Sequence, residues 1–111
     1  MTELKTAIAL NRQDAAALFA LGDLYSHLVR PVAAAQALEV GLQIVPDNVN
    51  ALHSLGLVFL GTQRLPRAID TFEQVLMLDS TSVSANANLA GAFAASGQVE
   101  RAIAGFQHLV L

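Results

Sequence analysis

An internal repeat of 34 residues runs through the chain and constrains its fold more than any other feature. Leu21-Gly22 and Leu55-Gly56 are 34 residues apart, and the same step from Leu55 reaches Leu89. Four further positions keep this register: Tyr25, Phe59 and Phe93; Ala34, Ala68 and Ala102; Leu38, Phe72 and Phe106; and Leu18, Leu52 and, more weakly, Asn86. A period of this length is typical of a solenoid, in which each repeat stacks on its neighbours.

Each repeat carries the apolar spacing of amphipathic helices. In the first repeat Leu18, Leu21, Leu24, Tyr25 and Leu28 recur at steps of three and four residues, which places them on one helical face. No segment shows the alternation expected of a strand. We therefore predict an all-α fold.

Proline residues mark where the helices begin and end. Pro31 and Pro66 stand at the predicted starts of second helices, where a missing N–H costs little, and Pro46 stands just after one. We expect N-caps at Asp14, Asn48 and Ser82. The predicted helices span about 3–11, 15–28, 32–45, 49–61, 66–78, 83–95 and 99–110.

The repeated pattern resembles that of the tetratricopeptide repeat family. It consists of a Leu-Gly pair, an aromatic residue three positions later, an alanine nine positions after that and a Leu or Phe four positions beyond the alanine. The resemblance covers the whole chain. It implies an α-solenoid of about three stacked antiparallel helical hairpins plus an N-terminal helix, with a concave groove lined by the first helices. A single domain, 1–111, would comprise a half repeat at 1–14, repeats at 15–48 and 49–82, and a C-terminally truncated repeat at 83–111.

Small residues inside the first helices need a steric reason. Gly22 and Gly56 lie within predicted helices, where Gly costs up to about 1 kcal/mol relative to Ala. We expect the paired helix to approach closely at these points, because Ala34 and Ala68 on that helix are also small.

Composition excludes several classes of function. Six Lys and Arg against nine Asp and Glu give a net charge of −3, which provides no basic surface for nucleic acid. The best candidate for a membrane span, the uncharged stretch between Asp79 and Glu100, contains too many Ser and Asn residues to be one, and no signal-like apolar run begins the chain. The absence of Cys suits a reducing compartment. We expect a cytoplasmic protein, with a periplasmic location or membership of a larger exported protein as alternatives.

No residue pattern supports catalysis. His27, His53 and His108 do not stand at the spacing that presents two metal ligands on one helical face. Asp70 and Glu73 fit a solvated helix surface, and no Gly-rich phosphate loop precedes a helix. We expect no enzyme activity, no metal and no cofactor.

The family resemblance implies which residues line the concave groove. Carried onto this sequence, the groove positions include Phe19, Asp23, His27, Asn50, His53, Leu57, Leu60 and Asn88. Partly exposed Phe19, Leu57 and Leu60 would form an apolar patch for a partner. The alternative is that neighbouring helices cover these three residues.

One family specificity does not match. Members that clamp the carboxyl terminus of chaperone partners use Lys and Asn in the first repeat, where this chain has Phe19 and Asp23, and a basic pair in the third, where it has Ala87 and Gly91. Since Asp23 would repel a carboxylate, we expect an apolar or helical ligand instead.

The leading hypothesis is a protein-binding scaffold or chaperone-like adaptor that holds a peptide or helix in its groove. One alternative is homo-oligomerisation through uncapped terminal helices, with Leu109 and Leu111 at the interface, since solenoid ends normally need polar caps. Another alternative is that the chain is the repeat segment of a larger enzyme.

Overall fold

The computed structural model describes residues 12–110, which form six helices and no strand. The helices are α1 (Arg12–His27), α2 (Pro31–Ile44), α3 (Val49–Gly61), α4 (Leu65–Leu78), α5 (Val83–Ala95) and α6 (Val99–Val110). The all-α prediction is confirmed, and every helix predicted from residue 15 onward is present with its ends within three residues. The helix predicted at 3–11 lies outside the described residues.

The helices pair into hairpins that stack side by side. Consecutive helices pack as α1 with α2, α3 with α4 and α5 with α6, and the hairpins meet through α2 against α3 and α4 against α5. The first helices of successive hairpins, α1, α3 and α5, touch each other only slightly. The molecule is elongated, 45 × 25 × 24 Å, and shallow space remains between neighbouring first helices.

Two of the three predicted N-caps are confirmed. The backbone N–H of Ala51 donates to Asn48 Oδ1 at 2.9 Å, and that of Ala85 donates to Ser82 Oγ at 3.1 Å. The predicted cap at Asp14 is wrong, because α1 begins earlier and Asp14 lies in its first turn. A carboxylate in that turn still favours the helix, because the N-terminal end of the macrodipole is positive.

The turn after each first helix has a left-handed residue at the same position of the repeat. The φ angles of Val29, Gln63 and Gly97 are 56°, 62° and 85°. In the first turn the N–H of Arg30 donates to the carbonyl of Tyr25 at 2.9 Å, and the N–H of Val29 donates to that of Ser26 at 3.1 Å. These are the two hydrogen bonds of a Schellman motif, and both recur in the second and third turns. The backbone therefore repeats with the sequence period.

Apolar side chains at the hairpin junctions form two buried clusters. The larger joins the first two hairpins and contains Ala35, Leu38, Ala51, Leu55, Phe59, Ala68 and Phe72. The smaller joins the second and third hairpins and contains Leu52, Val75 and Ala85. The core is thus a row of inter-hairpin contacts, as expected for a solenoid.

The close approach predicted at Gly22 and Gly56 is confirmed, although the group that requires it differs from the expected one. A Cβ at Gly22 would lie 2.7 Å from Leu38 Cγ, and one at Gly56 would lie 2.7 Å from Phe72 Cε1. Both glycines therefore make room for the large side chain four residues after the buried alanine. The small Ala34 contributes its backbone, whose carbonyl oxygen would be 3.4 Å from the Gly22 Cβ.

Candidate functional site

A pocket of about 430 Å³ lies between α1 and α3, and we call it the α1/α3 pocket. Its lining residues on these two first helices lie mainly in their C-terminal halves. Successive first helices in this fold make few contacts with each other. The pocket is therefore a consequence of the stacking geometry, and its chemistry is set by the side chains that face it.

The α1 wall of the pocket is polar. Asp23, Ser26 and His27 line it, and all three side chains are exposed. Their spacing of three and four residues puts them on one face of α1, beside the face that packs on α2 through Gly22. This wall presents a carboxylate, a hydroxyl and an imidazole to a ligand.

The α3 wall is mainly apolar. Leu57 and Val58 form its middle, with Leu57 44% exposed, while Ser54 lies at one edge. Gly61 and Thr62 form the end of this wall, and a Cβ at Gly61 would meet no atom within 4 Å. The missing side chain at Gly61 therefore helps to keep the pocket open.

The turn between α1 and α2 closes one end of the pocket through Val29 and Pro31. Val29 is 82% exposed and has a φ of 56°. A β-branched residue in the left-handed region is a genuine outlier, since its Cβ crowds the following carbonyl. Sequence reasoning missed Val29 as a site residue, although Gly97 at the equivalent position of the third repeat marks this position as left-handed.

Three of the sequence-predicted groove residues meet in this pocket. Asp23 and His27 lie on its α1 wall, and Leu57 lies on its α3 wall. They come from different repeats but share the inner face of the first helices. The family resemblance, whose groove positions were carried onto this sequence, was the signal that indicated them.

The structure does not bring the three predicted apolar residues together as one patch. Phe19 and Leu60 are half-buried and pack against the larger core cluster. A Cβ at Gly41 of α2 would overlap the Phe19 ring, with Phe19 Cδ1 at 2.7 Å. The Phe19 ring therefore fills space within its own hairpin, and only Leu57 of the three lines the α1/α3 pocket.

The other predicted groove residues lie further along the inner face. His53 is half-buried, with its ring edge-on to Phe72 at a centroid distance of 5.6 Å, and its Nε2 lies 3.5 Å from Nδ2 of Asn88. Asn50 is exposed at the start of α3. His53 and Asn88 thus connect α3 with α5 and contribute to the inner face between the second and third repeats.

The outer face of α6 carries an exposed apolar stripe that sequence reasoning did not single out. Val99, Ile103 and Phe106 are 56%, 51% and 46% exposed, and their i, i+4, i+7 spacing places them on one side of the helix. We call these three residues the terminal face. Leu109 is half-buried, and Leu111 lies outside the described residues.

Two further features of the described residues bear on other functions. Within 12–110, no three side chains of His, Asp or Glu come together as metal ligands. In the same part of the chain, no helix is both long enough and apolar enough to cross a membrane.

Comparison with known families gives one match. The model of the tetratricopeptide repeat matches residues 2–49 and 53–109, which is nearly the whole chain. A comparison with curated protein sequences gives no match.

Solved structures with the same stacking of helices include MamA, at a TM-score of 0.85 and 22% identity over 96% of this chain and 58% of that chain. The first TPR of Spaghetti (RPAP3), bound to the HSP90 peptide SRMEEVD, gives a TM-score of 0.84 and 16% identity over 91% of this chain and 80% of that chain. At these identities the likeness shows the fold alone.

An O-GlcNAc transferase of Thermobaculum terrenum is similar at a TM-score of 0.79 and 32% identity, over 88% of this chain but 19% of that chain. The chain also spans less than two thirds of the MamA structure. It therefore matches a helical-repeat portion of these longer proteins.

Proposed function

Because this chain belongs to the tetratricopeptide repeat family, we propose that it is a protein–protein interaction module that binds a peptide segment of its partner in the α1/α3 pocket. The observation that carries the proposal is the pocket itself, with an apolar α3 wall, a polar α1 wall and three of the groove residues that the family pattern indicates. Domains of this family generally serve binding and not catalysis.

The size and lining of the pocket suit one or two side chains of a peptide. Its volume of about 430 Å³ falls in the range of small ligand sites, which combine apolar walls with a few polar groups. Leu57 remains 44% exposed although it lies in the middle of a helix. A peptide side chain packed on Leu57 would remove this apolar surface from water, which stabilises the complex.

Gly61→Leu tests the proposal by filling the pocket from its wall. A side chain at this position has open space before it, so the variant is expected to fold normally. A random-peptide library displayed on phage would be selected on the wild-type chain, and the dissociation constant of an enriched peptide would be measured by calorimetry. We expect Gly61→Leu to weaken binding by about tenfold or more, which corresponds to about 1.4 kcal/mol.

Gln36→Leu on α2 provides a control that also adds a leucine at an exposed position. Gln36 lies on a second helix, outside the predicted groove, and does not line the α1/α3 pocket. It should leave the peptide affinity unchanged. If no peptide is enriched, or if enriched peptides bind Gly61→Leu as tightly as wild type, the pocket is not a peptide site.

A second candidate function, self-association, is favoured by the terminal face. Phe106 is 46% exposed, whereas Phe72 at the equivalent position of the preceding repeat is fully buried in the larger core cluster, against which Leu89 of the next hairpin packs. We infer as an alternative that a second copy of the chain covers Val99, Ile103 and Phe106. A molar mass that rises with concentration would support this candidate, and a constant monomer mass would exclude it.

A further inference from the structure

The α1/α3 pocket carries negative charge that no lining residue balances with a fixed cation. Of the ten residues that line it, Asp23 alone has a formal charge, with His27 counted as neutral. The Asp23 side chain is exposed on the α1 wall. Arg30 and Arg64, which follow the two helices in sequence, are not among the lining residues, although Arg64 lines an adjoining depression that shares Pro31, Val58 and Thr62 with the pocket.

Two helix ends add to this negative potential. α1 ends at His27 and α3 ends at Gly61, and both residues line the pocket. The C-terminal end of a helix has the effect of about half a negative charge, which favours a nearby cation. The last turn of α1 contains the basic residue His27, whereas that of α3 contains none, so the α3 end is the less compensated of the two. The Asp23 carboxylate and the two helix ends thus all favour a cation in the pocket.

The remaining walls suit an aliphatic stem more than a small ion. Leu57 and Val58 provide an apolar surface on α3, and Val29 and Pro31 close the end of the pocket. Lys and Arg side chains place their methylene groups along such surfaces and keep the charged head near a carboxylate. The strained and 82% exposed Val29 is a residue that a bound stem would cover, and strain of this kind is often found at ligand sites.

Resting on the proposed function, we infer that the α1/α3 pocket selects a peptide that inserts a Lys or Arg side chain, with the cationic head at Asp23 and the aliphatic stem on Leu57. An acidic segment is disfavoured, because its carboxylates would face Asp23 and two helix C-termini. The ligand class is therefore a basic and apolar peptide.

Selection and charge-removing variants test this inference together. Peptides enriched from the random library on the full wild-type chain are expected to share a Lys or Arg next to apolar residues. The dissociation constant of one such peptide would then be compared with those of its analogues in which the basic residue is replaced by norleucine or by Glu. We expect wild type to bind the basic peptide about fivefold more tightly than the norleucine analogue, and the Glu analogue most weakly.

Asp23→Asn should remove the difference between the basic peptide and its norleucine analogue while retaining binding to both. Asp70→Asn on the exposed surface of α4 makes the same change in net charge outside the pocket and should keep the wild-type preference. The preference should also weaken as salt concentration rises, because exposed charges are screened.

The two proposals fail in different ways. Enrichment of acidic or uncharged peptides, or an Asp23→Asn variant that keeps the full preference for the basic residue, would overturn the inference about charge. If the enriched peptides still bind Gly61→Leu more weakly than wild type, the proposed peptide-binding function stands without the inference about charge. Peptides that bind Gly61→Leu as tightly as wild type would overturn both the peptide-binding proposal and the inference about charge.

Discussion

Val29 carries a backbone strain that should be measurable as lost stability. Its φ of 56° places a β-branched residue in the left-handed region, at a cost of about 1–2 kcal/mol. The side chain is 82% exposed, so removing it sacrifices little packing. Allowing for the greater freedom of Gly in the unfolded chain, we expect Val29→Gly to raise the free energy of unfolding by about 0.5–1 kcal/mol, as measured by urea titration.

The equivalent turn of the third repeat supplies the reverse substitution as a control. Gly97 has a φ of 85°, and a Cβ added there would meet no atom within 4 Å, so Gly97→Val should lower stability by a similar amount. If both substitutions shifted stability in the same direction, backbone strain would not be the cause. Stabilisation of Val29→Gly together with weaker peptide binding would indicate that the exposed valine contributes to the ligand site.

At the residue scale, the sequence pattern predicted which helix face a residue lies on better than it predicted what the side chain contacts. Asp23, His27 and Leu57 were predicted because the family resemblance assigns groove positions to the first helix of each repeat. The role of Phe19 was not predictable in this way, since it depends on Gly41 of the opposite helix, which leaves room for the ring. Val29 was not predicted as a site residue, because its positive φ follows from the turn geometry and not from its residue type.

At the scale of the element, two phenylalanines at equivalent positions of α4 and α6 differ in burial. Phe72 is fully buried and Phe106 is 46% exposed. The Phe72 ring packs against α3, and Leu89 of α5 packs against the cluster that contains it, whereas the outer side of α6 faces no described helix. Phe72→Ala should lower the free energy of unfolding by about 3–5 kcal/mol, the usual cost for a buried ring. Phe106→Ala should cost less than half as much, as measured by urea titration of both variants.

A loss of about 3–5 kcal/mol is a large part of the total stability of a small domain, so Phe72→Ala could fail to fold. Phe72→Leu and Phe106→Leu provide a milder pair in which the same order is expected. Equal losses at the two positions would contradict the assignment of Phe72 to the junction between hairpins.

The boundaries of the elements were largely predictable because specific residues determine them. Pro31 begins α2, and the Asn48 and Ser82 side chains accept hydrogen bonds at the starts of α3 and α5. The start of α1 was misplaced because Asp14 is compatible with either a cap or a first-turn position, and sequence alone does not distinguish them.

At the scale of the whole molecule, the sequence period accounts for the order of stacking, because each hairpin buries its apolar face only against its neighbours. The separation of the first helices was harder to predict. It depends on how α2 packs against both α1 and α3, which leaves these two first helices with few contacts to each other. The same stacking explains why apolar residues are covered at the junctions but exposed on the terminal face.

Exposure of the terminal face predicts that the molar mass of the chain in solution rises with concentration above the monomer value of 11.7 kDa. Light scattering over a wide concentration range would measure it. Ile103→Glu should hold the mass at the monomer value, because a second copy covering this face would have to bury an unpaired charge. Met77→Glu is a matched control, since Met77 is 86% exposed on α4 and lies outside the terminal face; it should keep the wild-type dependence. A wild-type mass that stays at 11.7 kDa throughout would exclude self-association and leave peptide binding as the proposed function.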